Sequence, residues 1–215
     1  YPLFSRQVFP YLQKLQPEVI RSQMVKICSI DESQVAEEIE DLIESQTNPT
    51  IAPYAKTGEV HLRITAKGKN EKECKKLIKP VVKELKARFG RNIFATEESK
   101  SLEEAVVDML KEQEMTLSLA ESCTGGAIAA RIVNVSGASE VFLQGMVTYS
   151  NKAKRRCLDV SKSTLKKHGA VSEECAAEMA KGGRKASKTD ICLSVTGIAG
   201  PGGGTKEKPV GTVFM

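Results

Sequence analysis

The segment Leu-Ala-Glu-Ser-Cys-Thr-Gly-Gly, residues 119 to 126, decides the fold of the second half of this chain. An apolar run ends at the hydroxyl of Ser122 and two glycines follow, which predicts a strand, a tight turn and a helix. A serine at such a turn lies beside the free N–H groups of a helix start, which stabilise negative charge. Acyl transfer needs a nucleophile next to an anion site. Small residues at a tight turn often serve packing alone, so the rest of the chain has to support this interpretation.

Two further segments have the same form, a strand that stops at a turn of small polar residues. One is Val-Thr-Tyr-Ser-Asn-Lys-Ala-Lys at 147 to 154. The other is Ser-Val-Thr-Gly-Ile-Ala-Gly-Pro-Gly-Gly-Gly at 194 to 204, which the chain closes with Lys-Pro-Val-Gly-Thr at 208 to 212. In an open α/β sheet, ligands bind where the strands end at their carboxyl edge. The three turns therefore predict one composite site.

Strands and helices alternate from residue 101 onward, which predicts an α/β domain over residues 101 to 215. Ser101-x-x-Glu104 forms a capping box that opens its first helix. The predicted elements that follow are a strand at 116–121, a helix from 124, a strand at 145–150, helices between 151 and 188, a strand at 190–196 and a strand from 210.

The first half predicts a small α+β module over residues 21 to 96, in the order βαββαβ. Its elements are a strand at 21–28, a helix opened by a capping box at Asp31, a hairpin of 51–56 and 59–66 around Thr57-Gly58, a helix from about Asn70 to Gly90, and a strand at Ile93-Phe94. Residues 97 to 100 form a polar linker.

Residues 1 to 20 carry three prolines, Pro2, Pro10 and Pro17, and we expect irregular structure there. We interpret this stretch as a linker or as the tail of an upstream domain. The chain begins at Tyr1 rather than Met and stops within an expected strand, so we expect it to be part of a longer protein.

Composition narrows the class of protein. The formal net charge of +5 is small for a nucleic-acid binder and compatible with an anionic small-molecule ligand. The six cysteines are scattered without a C-x-x-C pair and the histidines number two, so we expect no metal site. Single cysteines fit a reducing compartment, and we expect a cytoplasmic protein. No signal peptide or membrane-spanning apolar run is present in this sequence.

Residues 101 to 215 resemble the C-terminal domain of the CinA (competence/damage-inducible) family, the nicotinamide-nucleotide amidase domain. The motifs that carry the resemblance are Ala-Glu-Ser-Cys-Thr-Gly-Gly, Val-Thr-Tyr-Ser-Asn-x-x-Lys, His-Gly-Ala-Val-Ser, Thr-Gly-Ile-Ala-Gly-Pro and Lys-Pro-Val-Gly-Thr-Val. Residues 21 to 96 resemble the KH-like module of the same family. The resemblance implies a three-layer α/β amidase that converts nicotinamide mononucleotide to nicotinic acid mononucleotide and ammonia. It also implies a serine/lysine mechanism without metal or cofactor.

The resemblance assigns the nucleophile to Ser122 and the base to Lys154, the lysine of Val-Thr-Tyr-Ser-Asn-x-x-Lys. A serine hydroxyl needs such a base, and a lysine serves when burial lowers its pKa. Lys152 is the rival base, and Cys123 is the rival nucleophile, although we expect Cys123 to be the first residue of a helix and to pack. Tyr149 either relays a proton and holds the lysine, or packs on its strand.

Backbone N–H groups of Thr124, Gly125 and Gly126 are the predicted donors to the oxyanion or to the ligand's phosphate. Thr196, Gly197 and Gly200 are predicted to face the same cleft. The other interpretation of the run from Gly200 to Gly204 is a flexible loop. No P-loop order is present, so the sequence does not predict an ATP site.

Two other classes of function remain open from the sequence. The chain could be a non-catalytic nucleotide-binding or assembly module, or residues 21 to 96 could bind RNA. The Gly-x-x-Gly loop of nucleic-acid-binding KH domains is absent at the expected helix junction, so nucleic acid is not an expected partner. A small-molecule nucleotide is the expected ligand, and a homo-oligomer through either module stays open.

Overall fold

The computed structural model describes residues 2–15 and 18–215, and these form two compact units, Tyr1–Leu102 and Glu103–Met215. Each unit contains a four-stranded sheet. In the described ranges, no helix combines the length and the apolar character needed to cross a membrane. The bounds of the two modules and of the linker at 97–100 stay predictions.

The first unit follows the predicted βαββαβ order after an N-terminal helix. Its elements are α1 (Phe9–Leu15), β1 (Val19–Cys28), α2 (Glu32–Glu38), α3 (Glu40–Glu44), β2 (Thr50–Lys56), β3 (Glu59–Gly68), α4 (Glu71–Phe89) and β4 (Ile93–Ala95). The antiparallel sheet has the order β2-β3-β1-β4. The predicted hairpin is confirmed, since β2 and β3 pair from Lys56 opposite Glu59 and Gly58 takes a positive φ in the turn.

An apolar core joins α2 and α4 to the sheet. Residues on one face of β1 and β3, such as Val25 and Leu62, are fully buried against Val35 of α2 and Leu85 of α4. The predicted helix start near Asn70 is confirmed, and the Asn70 side chain caps α4 by accepting a hydrogen bond from the N–H of Glu73. Two-residue alternation in β3 and helical spacing in α4 are the sequence signals that match this core.

The prediction of irregular structure over residues 1–20 is wrong where the structure describes them. A π-helical turn at Phe4–Val8 runs into α1, and β1 begins at Val19. Pro10 is the second residue of α1 and lies inside this continuous helical stretch, whereas Pro2 is the first residue described in it, a position where a missing N–H is tolerated. Pro17 lies outside the described residues.

The second unit has the predicted alternation of strands and helices. Its elements are α5 (Leu102–Glu112), β5 (Leu117–Glu121), α6 (Ala127–Val133), β6 (Phe142–Val147), α7 (Asn151–Leu158), α8 (Lys162–Lys167), α9 (Glu173–Ser187), β7 (Ile191–Gly197) and β8 (Val213–Phe214). The sheet order is β6-β5-β7-β8, with β6 and β7 parallel to the central β5 and β8 antiparallel to β7.

Helices cover both faces of this sheet, as the three-layer prediction requires. Leu117 and Leu119 of β5 pack with α5 and α6 on one face. Ala120 packs on the other face with Leu158 at the end of α7 and Met179 of α9. The two faces alternate along β5, and all five of its residues are buried.

The strand order places a crevice at the carboxyl end of β5. The chain passes from β5 to β6 on one side and then crosses to β7 on the other, so β5 stands at a switch point. In open α/β sheets the connections from such a point leave on opposite faces and open a crevice between them. The turn that carries Ser122 follows β5 at this edge.

Three predicted elements of this unit have wrong boundaries. The strand predicted from 210 is β8, which begins at Val213, because residues 210–211 form a turn. The helix after Ser122 begins at Ala127 rather than at 124, because residues 122–126 form turns in which Gly125 and Gly126 take positive φ. Cys123 is therefore not the first helical residue. The strand predicted at 145–150 is β6, and it ends at Val147, so Thr148 and Tyr149 belong to the turn before α7.

Candidate active site

The Ser122 turn is held in place by β7 on one side and by the turn after β6 on the other. Its backbone N–H donates to the carbonyl of Val195 in β7 at 2.9 Å. On the other side, the N–H of Thr148 donates to the carbonyl of Glu121 at 2.7 Å. The turn thus continues both parallel ladders by one bond, and Ser122 is 7% exposed.

Lys154 reaches Ser122 from α7, on a helix whose start is capped by the turn after β6. Ser150 caps α7 by accepting a hydrogen bond from the N–H of Ala153. Side chains on a helix lean toward its N-terminus, so a lysine one turn inside points back to the sheet edge. Lys154 Nζ lies 2.7 Å from Ser122 Oγ and 2.8 Å from the carbonyl oxygen of Thr148. Lys152, the rival base, is exposed.

The surroundings of Lys154 favour its neutral form. The residue is 1% exposed, and burial holds the pKa of its amine below the usual 10.5, although the nearby thiols of Cys175 and Cys123 act in the opposite direction. Burial also raises the pKa of the Cys175 thiol, which keeps it uncharged. Both hydrogen-bond partners of Lys154 among the described residues, a hydroxyl and a carbonyl, are neutral as well.

Glu121 is a site residue that the sequence reasoning missed. Its side chain is 1% exposed, and its carboxylate accepts hydrogen bonds from the N–H groups of Gly126 (3.0 Å), Ile128 (3.2 Å) and Ala129 (2.8 Å). The signal was a glutamate at the end of a mostly apolar strand, since a buried carboxylate is rare unless it is paired. The start of α6 therefore already holds an anion that belongs to the chain.

This carboxylate changes which backbone donors face the site. The N–H of Gly126 donates to Glu121, and the N–H of Gly125 donates to the carbonyl of Ser122 at 3.1 Å, so two of the predicted donors are engaged. The N–H groups of Cys123 and Thr124 have no acceptor within residues 2–15 and 18–215. Cys123 directly follows Ser122, which is the position of one backbone donor at other nucleophile turns between a strand and a helix.

The structure does not bring the Tyr149 side chain to the Ser122–Lys154 pair. Tyr149 is 74% exposed, and the lysine is held by the carbonyl of Thr148 instead. The alternative that Tyr149 packs on its strand is wrong, because β6 ends two residues before it. A catalytic role of Tyr149 stays a prediction.

Residues of the 194–212 segment frame the other side of the crevice. Thr196 is buried and its hydroxyl donates to the carbonyl of Ala170 at 2.7 Å, so it holds the His-Gly-Ala-Val-Ser segment. A Cβ on Gly197 would lie 3.1 Å from Cys123 Sγ and 2.7 Å from the carbonyl oxygen of Thr212, which places this glycine beside the Ser122 turn. A Cβ on Gly200 would lie 2.6 Å from a methyl carbon of Val210, so its small size permits the loop to pack.

Lys208 fixes this loop from the inside. Its Nζ donates to the carbonyls of Val171 at 2.6 Å and His168 at 3.3 Å, and it lies 5.9 Å from the centre of the Phe214 ring. The two motifs His-Gly-Ala-Val-Ser and Lys-Pro-Val-Gly-Thr are therefore joined by one side chain. In the described ranges no group of three or more His, Cys, Asp or Glu could hold a metal ion.

The fold and the site together define a class of protein: a KH-like module followed by a three-layer α/β domain with a buried serine–lysine pair at its strand switch point. The family model of the CinA C-terminal domain matches residues 99–215, and that of the KH domain of the damage-inducible protein CinA matches residues 22–95. The chain belongs to the CinA family.

Relatives of similar sequence carry names from the same family. A competence-damage inducible protein of Clostridium beijerinckii is 55% identical over 214 residues, which cover 100% of this chain and 52% of that protein. A CinA-like protein of Kosmotoga olearia is 52% identical with the same coverage. The chain thus spans about half the length of the curated relatives it matches.

Solved structures of the superfamily share the fold. A competence/damage inducible protein from Agrobacterium tumefaciens superposes with a TM-score of 0.51 at 46% identity, covering 52% of this chain and 68% of that one. A CinA superfamily protein from Escherichia coli gives a TM-score of 0.51 at 34% identity, covering 58% and 74%.

Proposed function

We propose that the second unit is a nicotinamide-nucleotide amidase in which Ser122 is the nucleophile and Lys154 the general base. One observation carries the proposal: the 2.7 Å contact between Ser122 Oγ and a lysine amine that burial disposes to be neutral. A neutral amine has two N–H bonds and one lone pair. The carbonyl of Thr148 accepts one N–H, which leaves the lone pair free to take the serine proton.

In the acylation step, Ser122 Oγ attacks the carboxamide carbon while its proton passes to Lys154 Nζ. The carbonyl π electrons move to oxygen and give a tetrahedral oxyanion. When the oxyanion collapses, the C–N bond breaks, and the Lys154 ammonium returns the proton to the departing nitrogen. Ammonia leaves, and the acyl group remains as an ester on Ser122.

The oxyanion is stabilised by the N–H groups of Cys123 and Thr124. They are the donors that the turn leaves free, and they stand on the residues immediately after the nucleophile. Donors of this kind contribute most when they are fixed before the reaction, and bonds to β7 and to the turn after β6 fix this turn.

In the deacylation step, Lys154 takes a proton from water, whose oxygen attacks the ester carbon. The second tetrahedral intermediate collapses with return of that proton to Ser122 Oγ. The products are the free serine and the pyridine carboxylic acid, so atoms and charge balance over the cycle without a cofactor.

The substrate is proposed from membership of the CinA family. The names of the relatives described above state no enzymatic activity. The polar strand ends fit a nucleotide. The phosphate would be held at the 196–204 segment, because the start of α6 is filled by Glu121. Thr196, Gly197 and Gly200 are then proposed to shape that segment around the ligand.

The test is ammonia release from nicotinamide mononucleotide by this chain and by two neighbouring variants. Ser122→Ala removes the nucleophile and should lower kcat by roughly 10⁴-fold or more with little change in stability. Cys123→Ala keeps the Cys123 N–H and should retain most of the activity. Loss of activity only in Cys123→Ala would assign the nucleophile to the thiol. Binding of the nucleotide without ammonia release would favour a non-catalytic nucleotide-binding module.

A further inference from the structure

Glu121 closes a ring around the nucleophile turn. Its main chain ends β5, and its side chain folds over residues 122–125 to bond the N–H of Gly126 and two more N–H groups at the start of α6. The turn between these two anchors therefore has both of its ends tied to the same residue. The N–H of Ala127 also donates to the carbonyl of Thr124 inside this ring.

The carboxylate is ionised in this position. Burial opposes ionisation, but the backbone N–H groups of Gly126, Ile128 and Ala129 donate to the carboxylate, and the pKa of Glu121 is held below its usual range. A buried anion with charge-assisted bonds to three donors forms a rigid contact, since each lost bond would leave a charge unsatisfied.

Adjacent residues on this strand end are directed to opposite faces of the sheet. Glu121 bonds α6 on one face, while the next residue, Ser122, meets Lys154 of α7. The carboxylate makes none of its hydrogen bonds with the described atoms of Ser122 or Lys154, so its effect on them passes through the backbone of the turn.

We propose that Glu121 is a positioning residue: its carboxylate clamps residues 122–126 so that Ser122 Oγ stays within reach of Lys154 and the N–H groups of Cys123 and Thr124 stay free. The clamp also fills the start of α6 with an anion of the chain itself, which excludes a second anion from that place. This inference rests on the proposed amidase function for its kinetic consequence, but the clamp itself is a structural claim that can be tested without activity.

The kinetic test compares Glu121→Gln with Glu178→Gln in the full chain. Both changes replace a carboxylate that bonds a helix start by its amide. Glu178 is comparable because it accepts hydrogen bonds from the N–H of Ser161 and the hydroxyl of Thr164 at the start of α8. A displacement of the nucleophile by about 1 Å costs roughly 100-fold in rate. Glu121→Gln should therefore lower kcat about 100-fold, with KM changed less than about threefold, whereas Glu178→Gln should leave both constants near those of the parent.

Amide hydrogen exchange gives the readout that does not need catalysis. In Glu121→Gln, exchange at Gly126, Ile128 and Ala129 should be faster than in the parent by about tenfold or more, since a lost bond worth about 1.4 kcal/mol changes an opening equilibrium tenfold. In Glu178→Gln, the exchange at these three amides should be unchanged and that at Ser161 should rise. If the parent releases no ammonia, the proposed function fails while this comparison still decides the clamp.

Glu121→Asp keeps the charge but shortens the side chain by one methylene, and it serves if Glu121→Gln does not fold. We expect its kcat and its exchange rates to lie between those of the parent and of Glu121→Gln. Parent-like kcat in Glu121→Gln, or in Glu121→Asp where the amide variant does not fold, would overturn the proposal. So would a fall in kcat with unchanged exchange at the three amides, because the effect would then not pass through the turn.

Discussion

The interiors of the two units differ in kind. Among the described residues of the first unit, Lys26 is the one buried polar side chain, and its Nζ donates to the carbonyls of Glu98 and Lys100. The second unit buries nine polar residues, namely Ser118, Glu121, Ser122, Thr148, Lys154, Ser172, Thr189, Ser194 and Thr196. Burial of a polar group costs free energy unless it is bonded, and burial of a charge costs more. The second unit therefore bears a free-energy cost of polar burial that the first unit largely avoids, and its buried polar residues include the candidate catalytic pair.

Most of these groups are explained by hydrogen bonds that organise the strand ends. Ser194 bonds the carbonyl of Ala176 and Ser118 bonds Thr189, so they tie β5 and β7 to their surroundings. The two ionisable groups, Glu121 and Lys154, lie on opposite sides of the Ser122 turn. The first unit, in contrast, follows the pattern of a plain apolar core, in which single substitutions act through cavities rather than through chemistry.

The largest effect that would sharpen this contrast is expected from Lys154. Lys154→Ala removes the base and should lower kcat by roughly 10³- to 10⁴-fold. Lys154→Arg should fail as well, because a guanidinium stays protonated and does not accept the serine proton. Lys152→Ala, the matched control on the exposed face of α7, should keep most of the activity. Steady-state ammonia release measures all three, and an active Lys154→Arg would rule out general-base catalysis by this residue.

The same pair sets the sign of the pH dependence. Lys154 acts as a base only when neutral, so kcat/KM should rise with pH as the lysine loses its proton. Because burial lowers the pKa of Lys154, the midpoint of this rise should lie below 10.5, the usual value for a lysine. A profile from pH 5 to 10 measures it, and a rate that falls across that range would contradict the assignment.

A core residue of the first unit tests whether substitutions there change stability without changing catalysis. Leu62 is fully buried in β3, and Leu62→Ala should lower the free energy of unfolding of this unit by about 2–5 kcal/mol. Ile20→Ala, at an exposed position of β1, should cost less than about 1 kcal/mol. Chemical denaturation measures both. We expect kcat to be unchanged in either variant while the chain stays folded, and a loss of activity would show that the first unit contributes to the site.

Much of this architecture could be predicted from local sequence signals. One buried face imposes the two-residue alternation of β3 and the helical spacing of α4. The alternation of strands and helices after residue 101 could be predicted from the same two patterns. The pairing of Ser122 with Lys154 was predicted from family motifs. No spacing in the sequence would have joined them, since they stand 32 residues apart on different elements.

What the sequence reasoning missed depends on tertiary context. The carboxylate of Glu121 was not predicted as a helix-start anion, because no local sequence signal indicates that its side chain folds over residues 122–125 to reach Gly126. The prediction for residues 2–15 fails because proline usually indicates a break, whereas here Pro2 begins the described helical stretch, where proline is tolerated, and Pro10 lies inside it. The late start of α6 was missed for a related reason, since two consecutive glycines with positive φ delay it.

The smallest change in kcat is expected from a substitution of Tyr149. This substitution tests whether the catalytic group extends beyond the buried polar residues to an exposed side chain. Tyr149→Phe removes a hydroxyl that is exposed, and the Lys154 amine keeps its bonds to Ser122 and to the carbonyl of Thr148. The exposed Tyr149 hydroxyl bonds neither Ser122 nor Lys154, so its removal should change kcat less than about threefold. Tyr54→Phe in the first unit changes another exposed tyrosine, so it is the matched control and should behave like the parent.

If kcat instead fell about 100-fold in Tyr149→Phe but not in Tyr54→Phe, the Tyr149 hydroxyl would be a third member of the catalytic group. The boundary of the site would then lie outside the buried set, and the turn at 148–150 would have to close over the substrate during the reaction.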